Sequence, residues 1–222
     1  MANKEKERDP YDGLRPWSAI THAVGIALAL CAAPFLLARA ADSGIRGARV
    51  AVLVYLISLI GLYTASTLYH SLRTSPERRL TLRKVDHLNI YYLIAGSYTP
   101  FCVITLSGVW GTTLLIVVWS LALIGTALKL IWIHLPRWLT SSIYLIMGWI
   151  VVFAFYPLSQ RLAWEGMVWL VLGGLSYTTG GVLYAVKWPC KHNPRFGCHE
   201  IFHVFILLGS IAQFAAIWHT FS

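Results

Sequence analysis

The stretch HLNIYYLIAGSYTPFCVITLSGVWGTTLLIVVWSLALIGTAL, residues 87–128, holds no Asp, Glu, Lys or Arg over 42 positions. A helix needs about 20 apolar residues to cross a bilayer. This stretch is therefore long enough for two crossings. Gly108 and Gly111, within Leu106-Ser-Gly-Val-Trp-Gly-Thr112, mark the tight turn between them. Five further charge-free runs flank it, at 18–38, 50–72, 138–160, 166–186 and 201–222. Each reads as one span, so the sum is seven. The first run is too long for a secretory leader and ends in Arg39 without a small-residue cleavage motif.

Composition agrees. The 222 residues are 57% apolar and only 12% charged, where a soluble domain carries about 25% charged residues. The expected fold class is all-α, a seven-transmembrane helix bundle over residues 17–222. A short tail at 1–16 precedes it. The formal net charge of +9 raises nucleic acid as a partner, but the positions of the charges argue otherwise. Fourteen of the Lys and Arg residues fall in the tail and the loops after spans two, four and six, and four fall on the other side. The positive-inside rule then places the N-terminus in the cytoplasm and the C-terminus outside. The basic residues set topology and meet anionic lipid. Trp17, Trp110, Trp132, Trp138, Trp164 and Trp188 fall near span ends, as an interfacial aromatic belt requires.

Ionisable groups in or beside a bilayer are costly and are candidates for function. Alternating spans bring several to one depth near the cytoplasmic face. Ser66 and His70 end span two, Asp86 and His87 open span three, and His199, Glu200 and His203 open span seven. His22 lies in the second turn of span one. Ser66 and His70 are four residues apart and share a helix face, as do His199 and His203. Two imidazoles one turn apart chelate one ion. A third histidine from a neighbouring helix completes three nitrogen ligands and leaves a fourth position open, the layout of a catalytic zinc site. Zinc held this way makes hydroxide available near neutral pH. A carboxylate is then needed to orient or deprotonate the water, and Asp86 is the candidate. Ser66 stands ready to hydrogen-bond the water or a polarised substrate oxygen. Asp86 also has a plainer reading, as a negative charge at a helix N-terminus.

His199-Glu-Ile-Phe-His203 is also a literal His-Glu-x-x-His, which on a helix reads as a metalloprotease motif with Glu200 as base. Membrane-embedded proteases usually take a third ligand from an Asp within a span, and no span here holds one. Cys190, His192, Cys198 and His199 offer a second arrangement for zinc, but without the usual Cys-x2-4-Cys spacing.

Taken together, Ser66-Thr-Leu-Tyr-His70, Val85-Asp-His87, Ala95-Gly-Ser-Tyr-Thr-Pro-Phe101 and His199-x3-His203, spread over seven spans, resemble the bacterial hemolysin III family. Its kin are the progestin and adipoQ receptors and the alkaline ceramidases. The likeness runs from about residue 17 to the C-terminus. It implies zinc ligands His70, His199 and His203, with Asp86 and Ser66 beside the water. Glu200 is compatible with the family, which weakens the protease reading. Where bacterial members often carry Glu and Asn ahead of the span-one histidine, this chain has Arg15 and Ser18, which leaves the role of His22 open. The activities the resemblance implies are zinc-dependent hydrolysis of a lipid amide, zinc-stapled lipid sensing in membrane homeostasis, and cytolysis by a pore. Membrane lipids are the expected partners, in an inner (plasma) membrane.

Overall fold

The structure, a computed structural model, describes residues 14–106, 108–131, 137–189 and 196–222. The tail to residue 13, Trp132, Cys190 and His192 lie outside the described residues, as does the side chain of Trp138. The described residues are helical, with no strand among them. The helices are α1 (Pro16–Asp42), α2 (Ala48–Ser71), α3 (Pro76–Pro100), α4 (Gly108–Ile131), α5 (Arg137–Trp149), the short α6 (Phe155–Ser159), α7 (Trp164–Val186) and α8 (Cys198–Trp218).

Among the described residues, six helical segments are long and apolar enough to cross a membrane: α1, α2, α4, the stretch Leu139–Ser159, α7 and α8 with its last turn. The helix α3 is different because its first three turns carry Glu77, Arg78, Arg79, Arg83, Lys84 and Asp86. Its apolar run continues past Pro100 into a π-helical turn, Phe101–Leu106. Proline has no N–H to give and its ring crowds the carbonyl of the preceding turn. Such conflicts are commonly relieved by π geometry.

Two glycines set how α4 returns along α3. Gly108 turns the chain with φ +59°, a conformation most residues avoid. A Cβ on Gly111 would run into the Cys102 carbonyl oxygen, so only glycine allows this approach. The expected turn is therefore confirmed, and its two glycines do different work. The antiparallel register is then fixed by Trp119 Nε1 donating to Thr99 Oγ1 (3.2 Å) and by Thr126 Oγ1 donating to Tyr92 OH (3.2 Å).

Neighbouring helices pack in chain order, α1 on α2, α2 on α3 and α3 on α4, while α5 bridges α3 and α7. The ring closes where α7 packs on α8 and α8 on α1. Tyr98 braces the break in α5. Its hydroxyl accepts from the Val151 N–H (2.9 Å) and faces the Met147 and Gly148 carbonyls. This satisfies backbone groups where α5 gives way to the 3-10 turn Ile150–Ala154.

Burial is inverted relative to a soluble bundle. On α1 the inward positions are Ser18, His22, Gly25 and Ala29, while Ile20, Val24, Leu28 and Phe35 point outward. Exposed apolar faces of this extent mark contact with lipid. Trp164 and Trp188, at the two ends of α7, are 76% and 62% exposed, as interfacial anchors require.

Candidate metal centre

Helix ends build the centre. His70 lies in the last turn of α2, and His199 and His203 lie in the first turns of α8. One ring nitrogen from each falls within 4.8 Å of the others. His70 Nε2 and His199 Nε2 are 3.2 Å apart. Two ligands about 2.0–2.1 Å from one tetrahedral ion sit roughly 3.3 Å from each other, so the spacing fits a shared ion. Three imidazoles are also a donor set that zinc takes. The residues present therefore fit a metal.

The His203 ring is oriented by backbone. Its Nδ1 lies 3.3 Å from the Ser18 carbonyl oxygen. A carbonyl only accepts, so Nδ1 carries the proton and Nε2 is left as the electron-pair donor. His22 lies against the same ring, with centroids 3.8 Å apart and planes at 16°. Both nitrogens of His22 are buried without a hydrogen-bond partner among the described residues. Tyr184 meets His199 edge to face at 5.4 Å. Neither Tyr184 nor the Ser18 carbonyl was marked by sequence spacing. For Ser18 a signal existed, since Ser18 and His22 are four residues apart on α1.

Glu200 is committed elsewhere. Its Oε2 accepts from the Gly197 N–H (2.8 Å), capping α8. Its Oε1 pairs with Arg15 Nη1 (2.8 Å) and accepts from Ser18 Oγ (3.2 Å). Arg15 and Ser18 are thus the partners of Glu200, and the carboxylate bolts the start of α1 to the start of α8. The Arg15 N–H also donates to the His70 carbonyl (3.0 Å), which ties in the end of α2. The protease reading of His199-Glu-Ile-Phe-His203 requires a free Glu200, and the helix cap accounts for it instead.

Asp86 is 8% exposed. It lies in the third turn of α3, which begins at Pro76, so it does not cap a helix. Ser66, on the face of α2 that carries His70, is 1% exposed, and its Oγ is buried with no hydrogen-bond partner among the described residues. Ser66 and Asp86 lie on α2 and α3, which pack against one another. Ser66, His70, Asp86, His199 and His203 all line one cavity of about 1430 Å³. Apolar side chains also line it, Leu93, Ile94, Phe101, Leu106, Leu114 and Leu170 among them.

The chain matches the family model described as haemolysin-III related over residues 16–214. The chain belongs to the haemolysin-III related family. It is 39% identical over 200 residues to the hemolysin-3 homolog of Bacillus subtilis, covering 90% of this chain and 91% of that one. It is 37% identical over 201 residues to hemolysin-3 of Bacillus cereus, covering 90% and 88%. A more distant likeness, 24% over 174 residues, covers 77% of this chain and 70% of the human monocyte to macrophage differentiation factor. With its apolar helices and bacterial relatives, this haemolysin-III chain is a multi-pass integral protein of the bacterial plasma membrane.

Proposed function

We propose that this protein is a zinc-dependent hydrolase of a lipid amide, with its site near the cytoplasmic face. The observation that carries the reading is the grouping of three imidazole nitrogens on a cavity that Asp86 and Ser66 also line. The α3 helix with its π-helical continuation is the seventh span in this reading. The uneven distribution of Lys and Arg then puts the N-terminus inside and the C-terminus outside.

Zinc bound by His70, His199 and His203 supplies Lewis acidity and lowers the pKa of water. Asp86 takes a proton from the water that attacks the amide carbonyl carbon, and returns it to the leaving nitrogen as the C–N bond breaks. Ser66 donates its hydroxyl hydrogen to the carbonyl oxygen as negative charge builds there. The apolar walls exclude water and take the acyl chain, which enters from the bilayer.

A second reading is a lipid sensor without turnover. It is favoured by the way the three histidines join α2 to α8, since the same set of ligands would staple two helices. A cytolytic pore ranks third, because the spans are apolar over most of their length.

Purified protein should hold about one zinc per chain and release fatty acid from a lipid amide, with Asp86→Asn as control. Zinc without turnover across a lipid amide panel moves the assignment to the sensor. A folded wild type that takes no zinc ends both readings.

A further inference from the structure

Past His203 the helix α8 is apolar except for Ser210 and Gln213. A polar side chain well inside a span is costly and is a candidate for function. The two are three residues apart and neighbour each other on the helix surface. The helix α7 closes on this segment. Tyr177 lies on Gly209, where a Cβ would come within 2.6 Å of the tyrosine ring. A Cβ on Gly173, one turn before Tyr177, would meet the Gly209 carbonyl oxygen at 3.3 Å. The Tyr177 hydroxyl and Ser210 Oγ form a hydrogen bond of 3.0 Å.

Gln213 has no such partner. It is only 7% exposed, and no hydrogen bond reaches its side-chain amide among the described residues. An amide held away from bulk water is costly until something pairs with it. Gln213 and Tyr177 both line the cavity that His70, His199 and His203 line, so the amide meets whatever fills that cavity. Depth adds a measure. The helix is continuous from Cys198 to Trp218, and the ten residues from His203 to Gln213 rise roughly 15 Å. An extended chain advances about 1.2 Å per bond, so an acyl chain whose carbonyl end lies at the histidines passes Gln213 about twelve carbons along.

We propose that Gln213, beside the Tyr177–Ser210 pair, is a subsite for a hydroxyl group carried along the acyl chain of the lipid in this cavity. The proposal rests on the reading of that cavity as a lipid site. It adds that the preferred acyl chain is hydroxylated, at a distance from its carbonyl end that α8 sets. An amide offers an acceptor, Oε1, and donors on Nε2, so it takes the hydroxyl hydrogen or gives one to the hydroxyl oxygen. A plain methylene chain does neither. Water standing at the amide is displaced with gain only by a group that reproduces its hydrogen bonds.

The test is a binding titration of the purified protein in neutral detergent. The probes are stearic acid, the same acid hydroxylated at its twelfth carbon, and the same acid hydroxylated at its third carbon. The twelfth-carbon hydroxy acid is expected to bind about tenfold tighter than stearic acid, and the third-carbon isomer no tighter. Gln213→Leu, which keeps the bulk and suits an apolar helix, should erase the preference while retaining stearic acid. Equal binding of stearic acid and the twelfth-carbon hydroxy acid, or a preference that survives in Gln213→Leu, overturns the subsite while leaving the lipid cavity standing. An equal gain for the third-carbon isomer also overturns it, since the hydroxyl is then read elsewhere. The positional comparison is made on wild type alone, so it decides even where Gln213→Leu does not fold. If none of the three acids binds wild type, the cavity reading falls and the subsite falls with it.

Discussion

His22 stacks flat on His203, with ring centroids 3.8 Å apart, while both of its own nitrogens are left without a partner. The ring contacts on its two sides are His203 and Tyr63, the latter at 5.0 Å. This is the environment of a packing ring that holds a ligand in place. His22→Phe is therefore expected to keep the metal and the fold, since it keeps the stack and removes two buried polar atoms that cost about 1–3 kcal/mol each when unpaired. His22→Ala leaves a hole beside His203 and should lower both melting temperature and metal affinity. Metal content and thermal unfolding of the two variants decide it. Loss of metal in His22→Phe would make His22 a ligand.

His203→Ala and His70→Ala should each reduce metal from about one ion per chain to a small fraction of that, because each removes one of three donors. The check is elemental analysis of detergent-purified protein beside wild type. Full occupancy in either variant removes that residue from the ligand set.

Asp86→Asn should keep the metal and lose hydrolysis. The amide keeps the size of the carboxylate but does not accept the proton from water. Metal content and fatty acid release measured on the same preparation separate this outcome from a loss of folding.

Glu200→Gln tests the clamp against the protease reading. Arg15 would lose the opposite charge of Glu200 in a pair whose side chains are 10% and 3% exposed. Removing one member of a buried pair costs about 3–5 kcal/mol, so a clear drop in melting temperature is expected. Adding Arg15→Met should recover part of it, since both charges of the pair are then gone. Residual hydrolysis per metal-loaded molecule should match wild type. Abolished turnover in a stable, metal-loaded Glu200→Gln would make Glu200 the base.

Orientation is checked by a reporter fused after Ser222, which should report from outside the cytoplasm. A cytoplasmic signal would overturn the seven-span count or the assigned sides.

Much of this was legible from charge alone. The charge-free runs locate the apolar helices because a bilayer accepts few charges, and a spacing of four puts His199 above His203 on one face. Sequence spacing speaks only within a helix, however. It does not say that Glu200 meets Arg15, 185 positions away, or that His203 meets the Ser18 carbonyl. The start of α3 was also hidden. Ten polar-rich residues precede Asp86 in the helix, and a reading based on apolar runs begins the helix at the wrong turn. The π-helical turn after Pro100 follows from a local backbone conflict whose resolution depends on the neighbours that α3 meets.

The link from Arg15 and Ser18 to Glu200 and His203 has a consequence for biogenesis. Ribosomes deliver α1 to the membrane first and α8 last, yet the His203 ring is set by an α1 carbonyl and the α8 cap is shared with an α1 guanidinium. A nascent chain that has inserted only its earlier helices holds one of the three histidines and none of their final orientation. If His70, His199 and His203 hold a metal as proposed, loading would have to wait until translation has passed His203, and a prematurely terminated product lacking α8 would lack two of the three ligands. Completion of α8 would then be the step that assembles the proposed centre.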